Sequence, residues 1–281
     1  MDMKVGSQVL AFGSRTYIMG ILNVTPDSFS DGGQYLDPDR AYDHAIKMID
    51  QGADLIDLGG ESSRPGHTKI TAREEMNRIL PVIRKIRERS QVILSVDTIR
   101  AEVAEAALEA GADIINDIWG LQGDPEMVRV AAAWNAPVIV MHNQTGTEYK
   151  GDLVEEMKTF FQRSLQLAEQ AGLARDRIIL DPGIGFGKTA EQNIAVMSRL
   201  AEFRVFGLPL LLATSRKSFL GKILDLPPEE RVEGTVATTV LGIAQGADMV
   251  RVHDIKENSR AARVTDAILR GRGINGSHLA E

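Results

Sequence analysis

Short apolar runs alternate with helical patterns along nearly the whole chain, and this alternation predicts the fold. Between the runs, apolar residues recur at intervals of three and four, which is the spacing of one helix face. Five runs are predicted to be buried strands: Tyr17–Leu22, Val92–Val96, Pro137–Met141, Arg177–Leu180 and Pro209–Ala213. Helical faces are predicted for three sets: Tyr42, Ala45, Ile46 and Ile49; Met157, Phe160, Phe161, Leu165 and Ala168; and Ala261, Val264, Thr265 and Ile268.

A repeated phrase supplies three more strands. Gly52–Asp57, Gly111–Asn116 and Gly246–Arg251 each begin with Gly-Ala-Asp, continue with a short apolar run and end in a polar residue. Each phrase follows a helical pattern, and glycine is favoured at the left-handed position that closes a helix. We therefore expect each phrase to end one helix and to start the next strand.

The strict alternation of strands and helices predicts a parallel sheet, because each crossover helix returns the chain in the same direction. Eight such units at this length predict an α/β fold, a (β/α)8 TIM barrel, with an open doubly wound sheet as the alternative. Val5–Ser14 precedes the first unit and is predicted to be a hairpin that plugs the barrel floor. No linker or low-complexity stretch divides the sequence, so we expect one domain over residues 1–281.

Composition narrows the possible functions. The 281 residues carry a net charge of −7 and include no cysteine, which excludes a cysteine nucleophile, an iron–sulfur cluster and a thiolate zinc site. The acidic balance without basic runs argues against nucleic acid or a membrane as the main partner. Residues 1–20 lack the apolar core of a secretory signal, and no run reaches the ~20 apolar residues of a membrane span. We expect a cytoplasmic protein.

Polar segments follow seven of the predicted strands, at the edge where barrel enzymes place their active sites. A single aspartate at a strand end is more often a helix cap, and Asp97 and Asp254 each admit that interpretation. Seven polar ends that converge on one mouth favour a shared site. The segments are Asn23–Gly33, Gly59–Gly66, Asp97–Thr98, Asn116–Asp117, Asp181–Lys188, Ser215–Ser218 and Arg251–Asp254.

The side chains of these segments fall into two chemical sets. Asp97, Asn116 and Asp181 offer hydrogen-bond acceptors, which suit a flat ligand whose edge presents several N–H groups. Donors and positive charge come from Arg64, Lys217, Arg251 and His253. Barrels often bind phosphate after their last two strands, where three of these four residues lie. The residues therefore predict a ligand that joins an N–H-rich heterocycle to an anionic arm.

The same segments resemble the dihydropteroate synthase family. The most specific are Asn23–Gly33, which reads Asn-Val-Thr-Pro-Asp-Ser-Phe-Ser-Asp-Gly-Gly, and Asp181–Lys188, which reads Asp-Pro-Gly-Ile-Gly-Phe-Gly-Lys. The resemblance extends from about Tyr17 to Asp254. It implies a transferase of folate biosynthesis, which joins p-aminobenzoate to 6-hydroxymethyl-7,8-dihydropterin diphosphate and releases pyrophosphate. It also implies a sulfonamide target, small-molecule substrates and a homodimer.

The resemblance implies a role for each residue that matches the family motifs. Mg²⁺ on Asn23 would bridge the diphosphate, and Asp31 and Asp181 would support a cationic intermediate. The catalytic residues would be Lys217, Asp181, Arg251, His253 and Asp31. Pterin diphosphate would be bound by Ser63, Asp97, Asn116, Asp181, Lys217, Arg251 and His253, and p-aminobenzoate by Phe29, Arg64, Pro65 and Ser218.

Two departures and three alternatives accompany this interpretation. Ser63 stands where the family usually has threonine, and Met141–Thr145 differs from the commoner form of that segment, so His142 has no assigned role. A pterin-dependent methyltransferase would keep Asp97 and Asn116 but would not need the loop from Asn23 to Asp31. A Schiff-base aldolase would use Lys217 instead, and a pterin-binding module without catalysis is the third alternative.

Overall fold

The computed structural model describes residues 1–25, 38–61 and 70–271. The strands in these ranges are β1 Asp2–Val5, β2 Gln8–Ala11, β3 Tyr17–Asn23, β4 Leu55–Gly59, β5 Ile93–Asp97, β6 Ile114–Asp117, β7 Val138–Met141, β8 Ile178–Asp181, β9 Leu211–Leu212 and β10 Met249–Val252. The α-helices are α1 Pro38–Asp50, α2 Ala72–Arg89, α3 Ala101–Ala110, α4 Met127–Trp134, α5 Leu153–Gln170, α6 Ala190–Ser198, α7 Ser218–Leu224, α8 Val232–Ala244 and α9 Ile255–Arg270.

Strands β3 to β10 form one parallel sheet that closes on itself. The hydrogen-bonded order is β8-β7-β6-β5-β4-β3-β10-β9, and a parallel bridge between Leu180 and Leu210 joins the two ends of this order. The Leu180 N–H donates to the carbonyl of Pro209 at 2.9 Å across this seam. The predicted barrel is confirmed, and closure distinguishes it from the open doubly wound sheet.

The barrel interior is apolar at one end and polar at the other. Met19, Leu55 and Ile93 belong to a buried cluster that also includes Met3 and Leu10 from the hairpin of β1 and β2. The predicted floor plug is thus confirmed, although it begins earlier in the chain than Val5. The next inward position on each strand, two residues further along, is polar: Asp57 comes after Leu55 on β4, and Ser95 comes after Ile93 on β5.

The repeated glycines close helices as predicted. Gly52, Gly111 and Gly246 have φ of 105°, 112° and 99°, a region that residues with a Cβ rarely adopt. At Gly52 and Gly111 a Cβ would also collide with Ser259 and Arg87 respectively. All three repeats therefore need glycine for their conformation, and at Gly52 and Gly111 the packing requires it as well.

Two of the predicted helix faces are rotated from the observed ones. In α1 the buried residues are Ala41, Ala45 and Met48, while Tyr42 and Ile49 are half-buried. In α9 the face predicted from Val264 and Ile268 is wrong, because these side chains are 61% and 75% exposed. The buried face of α9 carries Ala262 and Asp266 together with Thr265, which the periodicity predicted correctly. Asp266 accepts hydrogen bonds from both the backbone and the hydroxyl of Thr16, so a polar anchor replaces the apolar contact that periodicity predicts.

Within the residues that the structure describes, no helix is long and apolar enough to cross a membrane.

Replacing Leu10 with alanine tests whether the hairpin is part of the barrel core. Leu10 is buried in the floor cluster, so Leu10→Ala should lower the free energy of unfolding by about 2–5 kcal/mol. The adjacent Val9 is 58% exposed, and Val9→Ala should change it by less than about 0.5 kcal/mol. Denaturant unfolding measures both values, and equal small effects would mean that the plug does not stabilise the barrel.

Candidate active site

The carboxyl ends of the barrel strands bring most of the predicted site residues to one mouth. Three strands end in a predicted residue: β3 in Asn23, β5 in Asp97 and β8 in Asp181. Asn116 is the next-to-last residue of β6, and Arg251 is the next-to-last residue of β10. Lys217 and His253 follow the ends of β9 and β10, and Ser218 is the exposed first residue of α7. Five predicted residues lie outside the described ranges: Phe29, Asp31, Ser63, Arg64 and Pro65.

Asp57 links the polar residues beneath the mouth. Its side chain is fully buried, and its Oδ2 accepts from Arg251 Nε at 2.6 Å and from Asn116 Nδ2 at 3.0 Å. Among the described residues its Oδ1 has no hydrogen-bond partner, and neither has the buried hydroxyl of Ser95, which is paired with it in register on β5. Asp57 therefore orients two site residues, Arg251 and Asn116.

Sequence reasoning missed Asp57, although a signal was present. It is the polar residue that ends the first Gly-Ala-Asp repeat, and Asn116 and Arg251 end the other two. The three equivalent positions meet in one hydrogen-bonded cluster inside the barrel. The repeat thus marks site residues as well as turns.

Arg251 also pairs with Asp97. Its Nη2 donates to Asp97 Oδ2 at 2.9 Å, and the Arg251 side chain is 15% exposed. Burial opposes the charge on Arg251, but Asp57 and Asp97 stabilise it and raise its pKa above the usual value. Burial also raises the pKa of Asp97, against the attraction of Arg251 and with the repulsion of Asp57. Asp97 is therefore an acceptor in the mouth and does not serve as a helix cap.

Asp181 is an acidic group held against the loop that follows it. Its Oδ1 accepts from the backbone N–H of Gly183 at 2.7 Å, and its side chain is almost completely buried. Burial raises the pKa of Asp181 to about 6, while the Gly183 bond and the charge of Lys217 oppose the rise. Asp181 is thus mainly ionised near neutral pH.

Lys217 emerges from a constrained turn. Arg216, directly before it, has a φ of 57°, which is unusual for a residue with a side chain. Arg216 donates to both carboxylate oxygens of Asp254, and its carbonyl accepts from Arg231. Asp254 therefore anchors this turn, and its side chain does not cap α9. The turn places Lys217 Nζ 4.2 Å from the ring centroid of Phe186.

His253 offers the site a hydrogen bond without a full charge. Burial lowers its pKa to about 4, and the neighbouring cations Arg251 and Arg216 act in the same direction. Ser215 Oγ accepts from the backbone N–H of His253 at 3.1 Å and lies 2.9 Å from its Nδ1. Since Nδ1 is paired with this hydroxyl, Nε2 is the ring nitrogen left to bind a ligand.

Asn23 is exposed at the end of β3, beside Gly59 and Asp97. A Cβ built at Gly59 would lie 3.8 Å from Asn23 Oδ1 and 3.9 Å from Asp97 Oδ2. No group of three or more acidic, histidine or cysteine side chains in the described ranges could hold a metal. One amide oxygen at an open mouth fits Mg²⁺, which keeps several waters and uses phosphate oxygens as ligands.

Taken together, the mouth can bind a ligand of mixed character. Asp97, Asn116 and Asp181 can accept hydrogen bonds from an N–H-bearing edge, since the Asn116 amide nitrogen is already used by Asp57 and its oxygen is left as the acceptor. Arg251, Lys217 and His253 supply donors and positive charge on the side of β9 and β10. The described members of both predicted chemical sets therefore lie at one mouth, while Arg64 of the donor set lies outside the described residues.

Comparison with known proteins agrees with this geometry. Residues 19–253 match the family described as pterin binding enzyme. A dihydropteroate synthase of Clostridium beijerinckii is 54% identical over 95% of this chain and 100% of its own length. The crystal structure of a dihydropteroate synthase from Clostridium difficile in the presence of pteroic acid superposes with a TM-score of 0.91, at 54% identity, over 92% of this chain and 99% of that one.

A further solved structure extends the likeness. The Yersinia pestis dihydropteroate synthase in a sulfonamide drug complex has a TM-score of 0.89 and 42% identity, over 95% of this chain and 99% of that one. The family match over residues 19–253 includes every described member of the mouth. The chain belongs to the pterin-binding enzyme family and, within it, to the dihydropteroate synthases.

Proposed function

We propose that this protein condenses 6-hydroxymethyl-7,8-dihydropterin diphosphate with p-aminobenzoate to give 7,8-dihydropteroate and pyrophosphate, a step of folate biosynthesis. The observation that carries this proposal is the meeting of three acceptor side chains with three nitrogen-bearing donors at one barrel mouth. A methyltransferase has no evident use for the donors, whereas a diphosphate substrate requires them. Curated relatives with this activity align along nearly the entire chain.

The pterin ring would bind to the acceptors. Asp97 and Asp181 are carboxylates in a buried setting, where hydrogen bonds from ring N–H groups are strong because water does not compete. Asn116 would accept through Oδ1, because Asp57 fixes the orientation of its amide. Lys217 would lie against the ring, held above Phe186.

The diphosphate would bind to Arg251 and His253, with Ser63 assigned to the same pocket by the family motif. Arg251 enters this role already oriented by Asp57 and Asp97, so little side-chain entropy is lost when an anion binds. His253 would donate from Nε2. These donors stabilise the charge that develops on the leaving pyrophosphate, and they accelerate the reaction to the extent that they bind it more tightly in the transition state.

We further propose that Mg²⁺ is held by Asn23 together with the diphosphate. The ion would supply electrostatic stabilisation of the leaving group when bound. Asn23 would orient it at the end of β3, the strand that pairs directly with β10, which carries Arg251 and leads into His253. The small number of protein ligands agrees with the preference of Mg²⁺ for water and phosphate oxygen.

The p-aminobenzoate site would lie beside the reacting carbon. Ser218 is exposed at the start of α7, next to Lys217. Phe29, Arg64 and Pro65 complete this site by their family motifs, and Asp31 would add negative charge. An aryl amine opposite an anionic group is also the form of a sulfonamide, so we propose that sulfonamides compete for this site.

The reaction needs no strong base. The bond between the pterin methylene carbon and the diphosphate oxygen breaks, and its electron pair leaves with pyrophosphate. The lone pair of the arylamine nitrogen forms the new C–N bond, and the nitrogen then releases a proton. Asp181 would stabilise the positive charge on the pterin methylene, because it is a carboxylate held close to the ring edge.

An exposed apolar patch supports a homodimer, which we propose as the assembly. Leu241 of α8 and Val264, Ile268 and Leu269 of α9 are each more than half exposed, and α8 packs on α9. Grouped exposed apolar side chains of this kind are typical of protein interfaces. We place the enzyme in the cytoplasm, in agreement with a sequence that contains no cysteine.

The decisive experiment measures pyrophosphate release from the purified protein with pterin diphosphate and p-aminobenzoate. We expect release that requires both substrates and Mg²⁺, and inhibition by a sulfonamide that p-aminobenzoate relieves. Asn23→Ala should raise the Mg²⁺ concentration needed for half-maximal rate. Tight pterin binding without release of pyrophosphate would instead indicate a binding module.

Replacing Arg251 with alanine should weaken the diphosphate substrate far more than the pterin alcohol that lacks it. Loss of the guanidinium should cost about 2–5 kcal/mol of diphosphate binding, beyond the smaller loss that both ligands share because Asp97 loses its ion-pair partner. Calorimetric titration of both ligands measures the difference. Because Asp57 and Asp97 also lose their partner, the melting temperature should fall. Equal weakening of both ligands would show that Arg251 holds the ring or the fold.

Pterin binding should weaken in acid. Burial raises the pKa values of Asp181 and Asp97, so both side chains become protonated at a higher pH than an ordinary aspartate does. A protonated carboxyl has lost its negative charge and is a weaker hydrogen-bond acceptor. With Asp181 at about 6, its titration alone should lower the affinity for the pterin alcohol by about tenfold between about pH 7.5 and pH 5, and protonation of Asp97 should add to this fall. Titrations across this range measure it, and Asp181→Asn should bind weakly with a flatter pH dependence. An affinity independent of pH would contradict the assigned role.

The double substitution Val264→Glu and Ile268→Glu should convert a dimer into a monomer, because it places charge in the proposed interface. Val9, which is also more than half exposed but lies on the floor hairpin, supplies the control, and Val9→Glu should leave the dimer intact. Analytical ultracentrifugation distinguishes these outcomes. A dimer that survives the double substitution must use another surface.

A further inference from the structure

Lys188 ends the loop that follows β8, and the proposed mechanism gives it no role. Its side chain is buried, although lysine is among the residues least often buried. Its Nζ donates to the carbonyls of Gly183 and Phe186, each at 3.0 Å, and lies 2.9 Å from His142 Nδ1. The ammonium group of Lys188 thus joins two points of the loop, Gly183 and Phe186, to the segment after β7.

His142 is built to accept this bond. Its ring is stacked with Tyr149 and meets Phe160 and Phe161 edge to face, so it lies in an aromatic pocket. Burial lowers its pKa to about 2, and the charge of Lys188 acts in the same direction. The imidazole is therefore neutral and can offer an unprotonated Nδ1 to the ammonium.

The donors and acceptors around Lys188 match in number. An ammonium has three N–H donors, and the two carbonyls and the imidazole provide three acceptors. Burial lowers the pKa of Lys188 to about 7, while Asp181 opposes this shift and Lys217 adds to it, so the ammonium with three donors is the main form below that pH. Removing either Lys188 or the acceptor at His142 would leave a buried polar group without its partner, which is costly.

The loop from Gly183 to Gly187, which Lys188 holds, is tightly packed against the segment that follows β7. A Cβ at Gly183 would collide with the carbonyl oxygen of His142, and one at Gly187 would lie 2.8 Å from the carbonyl oxygen of Gln144. Tyr149 donates to the carbonyl of Gly187 at 2.9 Å, and Asn193 accepts from the N–H of Gly185 at 2.7 Å. The loop therefore has little freedom to move while these contacts persist.

The other side of the same loop supports Lys217. A Cβ at Gly185 would lie 2.9 Å from Cδ of Lys217, so the lysine stem rests directly on this glycine. The ring of Phe186 lies under its Nζ at 4.2 Å, within cation–π distance. Lys188 bonds to the carbonyl of the residue whose ring supports Lys217.

We propose that Lys188 is a positioning residue: together with His142 it fixes the loop from Gly183 to Gly187, and this loop fixes the side chain of Lys217. The proposal rests on the proposed function in one respect, the contact of Lys217 with the pterin ring. It gives roles to two residues, Lys188 at the end of the specific Asp181–Lys188 motif and His142, that the substrate contacts leave unexplained.

A double-mutant cycle tests the proposal. Lys188→Met keeps the length of the side chain and removes its three donors, and Lys217→Met removes the ammonium that the loop supports. In the full-length enzyme we expect Lys188→Met alone to lower kcat/KM for pterin diphosphate by about tenfold to a hundredfold, because misplacing a binding group by about an ångström has effects of this size. In the Lys217→Met background the same change should cost less than about threefold.

Substitutions of His142 give an independent test that does not alter either lysine. Asn places an acceptor oxygen where Nδ1 lies, whereas Leu has a similar size and no acceptor. His142→Asn should retain activity within about threefold, and His142→Leu should approach the loss of Lys188→Met. Melting temperatures of all variants separate local positioning from general destabilisation, and this pair replaces the cycle if Lys188→Met does not fold.

The outcomes separate this proposal from the proposed function. If the unaltered enzyme releases no pyrophosphate, the function is wrong, and the cycle is repeated with calorimetric affinities for the pterin alcohol. If the losses of kcat/KM caused by Lys188→Met and Lys217→Met simply multiply in the double variant, the positioning role of Lys188 is overturned. So would equal activities of His142→Asn and His142→Leu, because the acceptor would then be irrelevant.

Discussion

The site depends on the ion pairs that Arg251 makes with Asp57 and Asp97 inside the barrel mouth. Two carboxylates and one guanidinium lie in a region where water is largely excluded, so each charge needs the others. Asp57 is central to this network, because its Oδ2 accepts hydrogen bonds from both Arg251 and Asn116 and so orients both side chains. The proposed ligand recognition therefore depends on a network that is already formed in the protein alone, inside the closed barrel.

The two ends of the barrel have different roles: the floor stabilises the fold, and the mouth carries the proposed binding site. Apolar residues and the hairpin of β1 and β2 fill the floor, where burial stabilises the closed sheet. The next inward positions along the strands are polar, and they can remain so because the cluster bonds its own members. Strained or constrained backbone is placed at the mouth, at Arg216 and at the glycines after Asp181. The stable end thus supports conformations at the mouth that would be unfavourable in isolation.

Much of this architecture follows from local pattern. The three Gly-Ala-Asp repeats located strand starts correctly because a left-handed helix end requires glycine, whatever lies around it. Where the pattern was wrong, a tertiary contact had replaced the apolar one: α9 packs through Asp266 and Thr16, so Val264 and Ile268 face outward. Asp97 and Asp254 look alike as strand-end aspartates in the sequence. In the fold one pairs with Arg251 at the mouth and the other anchors the turn before Lys217.

By itself, the sequence determined the order of strands and helices, the turns between them and the set of polar residues at the strand ends. These features depend on periodicity and on the conformational preferences of single residues, which act over a few positions. Only the tertiary structure decided which of these residues are partners: Asp57 with Arg251 is a contact across 194 positions, and Lys188 with His142 is one across 46. Such pairs depend on how the barrel closes and how its strands are staggered, and no local pattern along the chain records that geometry.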